Sequence, residues 1–276
     1  MEWVLNNHST AYTDQSNSSW EEENAGVTVS TAMDLQKRII GGQNCRSDER
    51  HYHVRLSETS GKFLCGGSLI SDQWILTAAH CWKPGGSLLA DVGVHPLNNP
   101  KAKPGQIITE HFIYKEKDSK GKDWQHDLML LKLPEPSNIT PIKLDCDPSK
   151  APKIGQLVEI AGHTAEKKDK KNCEFTNDLQ CAEATLVQCD EFNVCLKNNY
   201  DPKWSLEYSI QALICGKHSG VDICKGDSGG GVVFKKQIYG VLVLIGDVKN
   251  PCMAPFAFMD ICNEKYLKWI KETANI

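Results

Sequence analysis

A serine among glycines, a histidine beside a cysteine and an aspartate heading an apolar run are the residues of this chain that could carry out acyl transfer. Ser228 stands in Cys224-Lys225-Gly226-Asp227-Ser228-Gly229-Gly230. Glycines free the backbone to turn sharply and to come close to a bound peptide. Such a turn can aim the N–H groups of Gly226 and Ser228 at one point, where a negatively charged oxygen would be held. A free hydroxyl is a poor nucleophile at neutral pH and needs a base. The candidate base is His80, in Leu76-Thr77-Ala78-Ala79-His80-Cys81, and the orienting carboxylate is Asp127, in His126-Asp127-Leu128-Met129-Leu130-Leu131.

The elements that must position these groups read as strands. From Val54 onward short apolar runs alternate with turn residues, the pattern of an all-β domain. Residues 63–69 and 74–77 read as strands, with His80 in the loop after the second. Residues 128–133 read as a buried strand, and Pro134-Glu135-Pro136 begins a crossing to a second group of strands at 156–259. The stretch 114–123, dense in Lys and Asp, predicts a surface loop just before Asp127. Tyr266, Leu267 and Ile270 recur at helical spacing and predict the docking face of a terminal helix.

The order His80, Asp127, Ser228 in these contexts, with Ile39-Ile40-Gly41-Gly42 upstream, resembles the chymotrypsin/trypsin family of serine endopeptidases, and within it the trypsin- and kallikrein-like members. The resemblance implies an all-β fold of two packed six-stranded antiparallel β-barrels with a C-terminal helix. It makes residues 39–276 the peptidase domain and residues 1–38 a pro-segment. Residues 1–37 are rich in Ser, Thr, Asn and Glu, and read as disordered or solvated. By resemblance His80 is the general base, Asp127 its orienting partner and Ser228 the nucleophile, with the Gly226 and Ser228 amides as oxyanion hole. Lys37-Arg38 is the implied activation site, cleavage freeing the ammonium of Ile39 to pair with Asp227. The expected substrate is a peptide or protein, protein protease inhibitors are expected partners, and the expected state is a monomer.

Specificity reads less simply. Asp222 falls where trypsin-like members place the carboxylate that selects Arg or Lys. Phe256, however, falls on a pocket wall that is glycine in such members, and Ile245 or Gly246 on the opposite wall. Ile223 makes the floor less polar, and Val243-Leu244 replaces a Ser-Trp pair, removing a hydroxyl that would face Asp127. A phenyl ring at a pocket mouth would obstruct a basic side chain. The alternative reading is therefore a protease-fold binding or regulatory protein with a closed pocket.

Twelve cysteines in 276 residues point to an oxidising compartment and hence to secretion. The resemblance implies bridges Cys45–Cys181, Cys65–Cys81, Cys146–Cys262, Cys195–Cys215 and Cys224–Cys252, with Cys173 and Cys189 left to pair. A further family bridge would fall at Val158 and Phe234, both apolar here. The N-terminus lacks the 7–15-residue apolar stretch of a secretory signal. The cysteines outweigh that absence, so a start lying elsewhere is expected. Asn7, Asn17 and Asn138 stand in glycosylation patterns.

Net charge is −4, all of it carried by residues 1–38, which hold six acidic and two basic side chains. That leaves no clustered positive surface for nucleic acid, and Lys167-Lys168-Asp169-Lys170-Lys171 reads as a solvated loop. No run approaches the roughly 20 apolar residues of a membrane span. There is no Cys-x-x-Cys pair, His51-x-His53 reads as an ordinary surface pair, and the stretch 93–98 lacks the acidic oxygens calcium requires. No metal or cofactor is expected.

Overall fold

The computed structural model describes residues 42–96, 99–166, 173–199, 201–217, 226–244 and 255–276. The chain divides into two units, Met1–Leu35 and Gln36–Ile276, and every described residue belongs to the second. Among the described residues the short alternating apolar runs form fourteen strands in two sheets, and every ladder between them is antiparallel.

In chain order come β1 (Gln43–Asn44), β2 (His53–Glu58), β3 (Phe63–Leu69), β4 (Trp74–Thr77), β5 (Leu88–Val92), β6 (Gln106–Ile108), β7 (Glu110–Lys117) and β8 (Asp123–Lys132). Strands β2 to β8 form one sheet in the order β6-β5-β2-β3-β4-β8-β7. Only Thr109 separates β6, which pairs with β5, from β7, which pairs with β8. Taken as one bent segment, β6 and β7 carry the sheet round from β5 to β8. The expected six-stranded barrel is met in that sense, with its sixth strand broken in two.

The second sheet contains β9 (Leu157–Glu166), β10 (Cys173–Val187), β11 (Leu213–Lys217), β12 (Gly231–Phe234), β13 (Gln237–Leu244) and β14 (Phe256–Asp260). These six close on themselves through the β9–β10 ladder, and β1 adds a short edge to β10. Val158 is fully buried in this barrel, and Phe234 packs on the same apolar cluster. Hydrophobic packing thus stands where the resemblance placed a bridge.

The chain between β4 and the site is fixed by burial. Leu128, Met129, Leu130 and Leu131 of β8 are wholly buried, each contributing about 1.5–3 kcal/mol by leaving water. Residues 114–123 are not the expected surface loop. They are the end of β7, a turn and the start of β8, because Lys115, Glu116 and Lys117 pair with Gln125, Trp124 and Asp123. The loop proper is only the turn, where the Asp118 carboxylate accepts from the Lys120 and Lys122 amides.

Three α-helices lie among the described residues. Between β10 and β11 lie α1 (Asp190–Asn199) and α2 (Pro202–Ser209), neither anticipated from the sequence. The terminal α3 (Glu264–Ala274) starts at Asn263, whose side chain caps the Lys265 amide, and ends at left-handed Asn275. It buries Tyr266, Ile270 and Ala274, while Leu267 is only half-buried.

Four disulfides join described residues. Cys45–Cys181, Cys65–Cys81 and Cys146–Cys262 have the implied partners. Cys215 does not: it bonds Cys189, which corrects both Cys195–Cys215 and the guess that Cys189 pairs with Cys173. The reason is register. Cys215 lies opposite Val187 on β10, so Cys189, two residues on, is at hand, whereas Cys195 is carried away along α1. Cys224, Cys252 and the basic run 167–171 lie outside the described residues. No described helix is long and apolar enough to cross a membrane.

Candidate active site

His80 owes its position to the end of β4. After Thr77 the buried Ala78 and Ala79 pull the chain inward, a single 3-10 turn spans Ala79–Cys81, and Cys81 is bridged to Cys65 on β3. With both neighbours buried, the imidazole is left at the rim of the barrel, its side chain 35% exposed. Cys65 and Cys81 crowd close to His80, but their sulfurs are spent on each other, so the group offers no metal ligand set.

Asp127 comes from the buried part of β8 and is 6% exposed. One carboxylate oxygen, Oδ1, accepts from the backbone N–H of His80 at 2.9 Å. The other, Oδ2, accepts from His80 Nδ1 at 2.8 Å and from the Tyr208 hydroxyl at 2.8 Å. The N–H of Asp127 itself donates to Gln211 Oε1 at 2.9 Å. A carboxylate with three donors stays ionised. Burial pushes the acid upward, but the His80 charge and these hydrogen bonds outweigh it and hold its pKa below the ordinary value. For His80, burial favours the neutral ring, yet the charge and hydrogen bond of Asp127 prevail and raise its pKa. With Nδ1 donating to the carboxylate, Nε2 is left as the basic atom.

The serine turn, residues 226–229, is seated on the other sheet. Its backbone needs glycine: Gly226 has φ +115° and Gly229 φ +84°. A Cβ on Gly229 would lie 2.2 Å from Thr77 Oγ1 and 2.3 Å from the Gly66 carbonyl oxygen. The Gly66 N–H donates to the Ser228 carbonyl at 2.8 Å, and the Thr77 hydroxyl donates to the Gly66 carbonyl. The half-buried Ser228 is thus held against the strands that lead, three residues beyond Thr77, to His80. Asp227 is fully buried beside it and accepts from Thr164 Oγ1 at 2.5 Å.

A family model described as Trypsin matches residues 39–270. The chain belongs to the trypsin family. It is 30% identical to the alpha- and beta-fibrinogenase stejnefibrase-1 of Trimeresurus stejnegeri over 83% of this chain and 84% of that protein. Kallikrein-8 of Rattus norvegicus is also 30% identical, over 86% of each chain. Among solved structures it is similar to neuropsin, a serine protease expressed in the limbic system of mouse brain, at 27% identity. That superposition has a TM-score of 0.66 and covers 84% of this chain and 98% of the other. The protein is accordingly a trypsin-like serine endopeptidase, and its substrates are peptides or proteins.

Of the trypsin-family site residues read from the sequence, His80, Asp127, Gly226, Asp227 and Ser228 are described; Arg38, Ile39, Asp222 and Ile245 lie outside the described residues. Phe256 is 2% exposed and packs in the second barrel with Val158, Leu186, Val232 and Phe258. Its ring fills the space beside Gly216, where a Cβ would come within 2.8 Å. His53 is likewise no surface residue: it is 2% exposed, with its ring 5.3 Å from that of His163.

Two residues that touch Asp127 escaped the sequence reading, Tyr208 and Gln211. The one available signal was Asp201-Pro202, a helix start in which Asp201 caps the Lys203 amide and proline takes the first turn. Beyond Cys81, Trp82 stacks on His111 at 3.9 Å and lines a pocket of about 330 Å³ with Glu58, Leu64 and Lys83.

Proposed function

We propose that this chain is a secreted endopeptidase made as a zymogen, which hydrolyses peptide bonds after Arg or Lys through His80, Asp127 and Ser228. His80 Nε2 takes the proton of Ser228 as its oxygen attacks the scissile carbonyl, then returns it to the leaving amine. Asp127 keeps Nδ1 protonated and stabilises the charged imidazole. The Gly226 and Ser228 amides hold the oxyanion, a single donor of this kind being worth about 2.7–4 kcal/mol. Water then hydrolyses the acyl-enzyme.

The observation that carries this reading is the His80–Asp127 pair, made on the same sheet against which the Ser228 turn packs. Cleavage after Arg38 supplies the ammonium of Ile39 for Asp227, whose complete burial makes a cationic partner valuable. Asp222 supports the preference for basic residues. Four disulfides support an oxidising destination, and the exposed Asn138 offers a site for glycan attachment. The enzyme acts as a monomer, and protein protease inhibitors compete for its cleft. The likeness to named serine proteases favours the active enzyme over a protease-fold binding protein.

The test is labelling with a fluorophosphonate, which reacts with activated serines whatever the substrate preference. Protein cut after Arg38 should label, whereas uncut protein and cut Ser228→Ala should not. No label on the cut native protein refutes the proposal.

A further inference from the structure

We propose that Tyr208 is a positioning residue of the catalytic site: its hydroxyl, delivered by α2, fixes the Asp127 carboxylate in the orientation that serves His80. The inference rests on the triad reading above and adds to it an element outside the three motifs.

The geometry is local and one-sided. The Tyr208 hydroxyl donates to Oδ2, the oxygen that also receives His80 Nδ1–H. Gln211, three residues on, accepts the Asp127 N–H, and its own amide is oriented by donating to the Glu207 carbonyl at 3.1 Å. Side chain and backbone of Asp127 are therefore gripped by the same short segment. Tyr208 is 6% exposed, so its hydroxyl is directed by the protein rather than by water. A phenol buried this deeply needs an acceptor, and the carboxylate supplies one.

The segment is built to hold still. Cys189–Cys215 closes the excursion that carries α1 and α2. Ser205 Oγ donates to the Leu196 carbonyl, tying α2 to α1. On the far side the Ala212 N–H donates to the Tyr266 hydroxyl of α3, and Asp260 N–H to the Ala212 carbonyl. The strand that by resemblance would offer Asp127 a serine hydroxyl presents the buried Val243 instead. The hydroxyl reaching Asp127 here comes from a different element.

A second donor at Oδ2 stops the carboxylate from turning away from the imidazole. That keeps the proton on Nδ1 and leaves Nε2 free to act as base. Tyr208 touches neither substrate nor Ser228 in this role; it acts through Asp127.

The experiment compares native and Tyr208→Phe proteins, both cut after Arg38, by two readouts. One is the rate constant of fluorophosphonate labelling as a function of pH. The other, which needs no activity, is the NMR titration of the His80 imidazole in a Ser228→Ala background. Positioning predicts that Tyr208→Phe lowers the plateau labelling rate about five- to twentyfold, and that the acid limb and the imidazole midpoint both move to lower pH. Adding Val243→Ser to Tyr208→Phe should recover at least part of both changes. An unchanged plateau and midpoint overturns the proposal. So does a midpoint that rises, which marks a donor that merely weakens the carboxylate's charge, or a lowered melting temperature with an unmoved midpoint, which marks packing alone. If native protein fails to label while the His80 midpoint still falls in Tyr208→Phe, the hydrolase reading fails and the positioning role stands.

Discussion

Thr164 Oγ1 donates to Asp227 Oδ2 at 2.5 Å, and two residues earlier on the same strand Gly162 leaves the space that the Asp227 carboxylate occupies. A Cβ on Gly162 would lie 1.9 Å from Oδ1. Gly162→Ala must therefore displace Asp227 and, with it, the adjacent Ser228. We expect the fluorophosphonate labelling rate to fall about 100-fold, the scale of a misplacement near 1 Å, with about 1–3 kcal/mol lost in urea melts from overpacking. Native-like labelling by this variant would show that the turn tolerates the shift.

The pH dependence of activity follows from His80. The imidazole must be neutral to take the serine proton, and Asp127 raises its pKa above 6.5. The acid limb of the activity profile should therefore have its midpoint above 6.5. Asp127→Asn should cost about 10⁴-fold in rate, as that change does in well-studied triads, and should move the limb downward. The same raised pKa stabilises the fold fully below 6.5, and that contribution fades as pH climbs through the folded value. An acid limb centred below 6.5 in the native enzyme contradicts the pairing.

Buried imidazoles elsewhere act in the opposite sense. Neither His53 Nε2 nor His163 Nε2 has a hydrogen-bond partner among the described residues. Burial pushes His53 well below its ordinary value and His163 down to about 4. Both are neutral when folded and take up protons when unfolded, so their contribution is complete above 6.5 and drains away as pH falls through the folded values. For His163 that is about 3 kcal/mol. Urea midpoints measured from pH 7.5 to 4.5 should drop in native protein and drop less in His163→Leu. Parallel slopes for the two proteins are the losing result.

Peptide mapping under non-reducing conditions should recover Cys189 joined to Cys215. Cys189→Ser with Cys215→Ser should cost about 3 kcal/mol, since the bridge closes a loop with a sequence separation of 26. Recovery of a Cys195–Cys215 peptide instead would restore the pairing implied by resemblance.

What could be read beforehand was whatever is written locally. His80, Asp127 and Ser228 each sit in short contexts whose backbone demands are visible in the residues, and the β-strands show their period. What could not be read depends on partners distant in sequence. The charged stretch 115–117 looks like a loop until β8 pairs with it, and His53 looks like a surface residue until His163 covers it. The burial of Phe256 likewise depends on Val158 and Val232, which reach it from other strands of the barrel. Tyr208 carries no motif. Its role appears only when α2 is laid beside β8, 81 residues from the carboxylate it meets.

Gly229 fits only because nothing projects from it into Thr77 and Gly66, residues of the opposite barrel. The nucleophile is thus carried by one half of the molecule and seated in a notch cut by the other. Neither half can be exchanged for that of a distant cousin unless notch and glycine travel together. The lineage is bound to inherit its two barrels as a matched set.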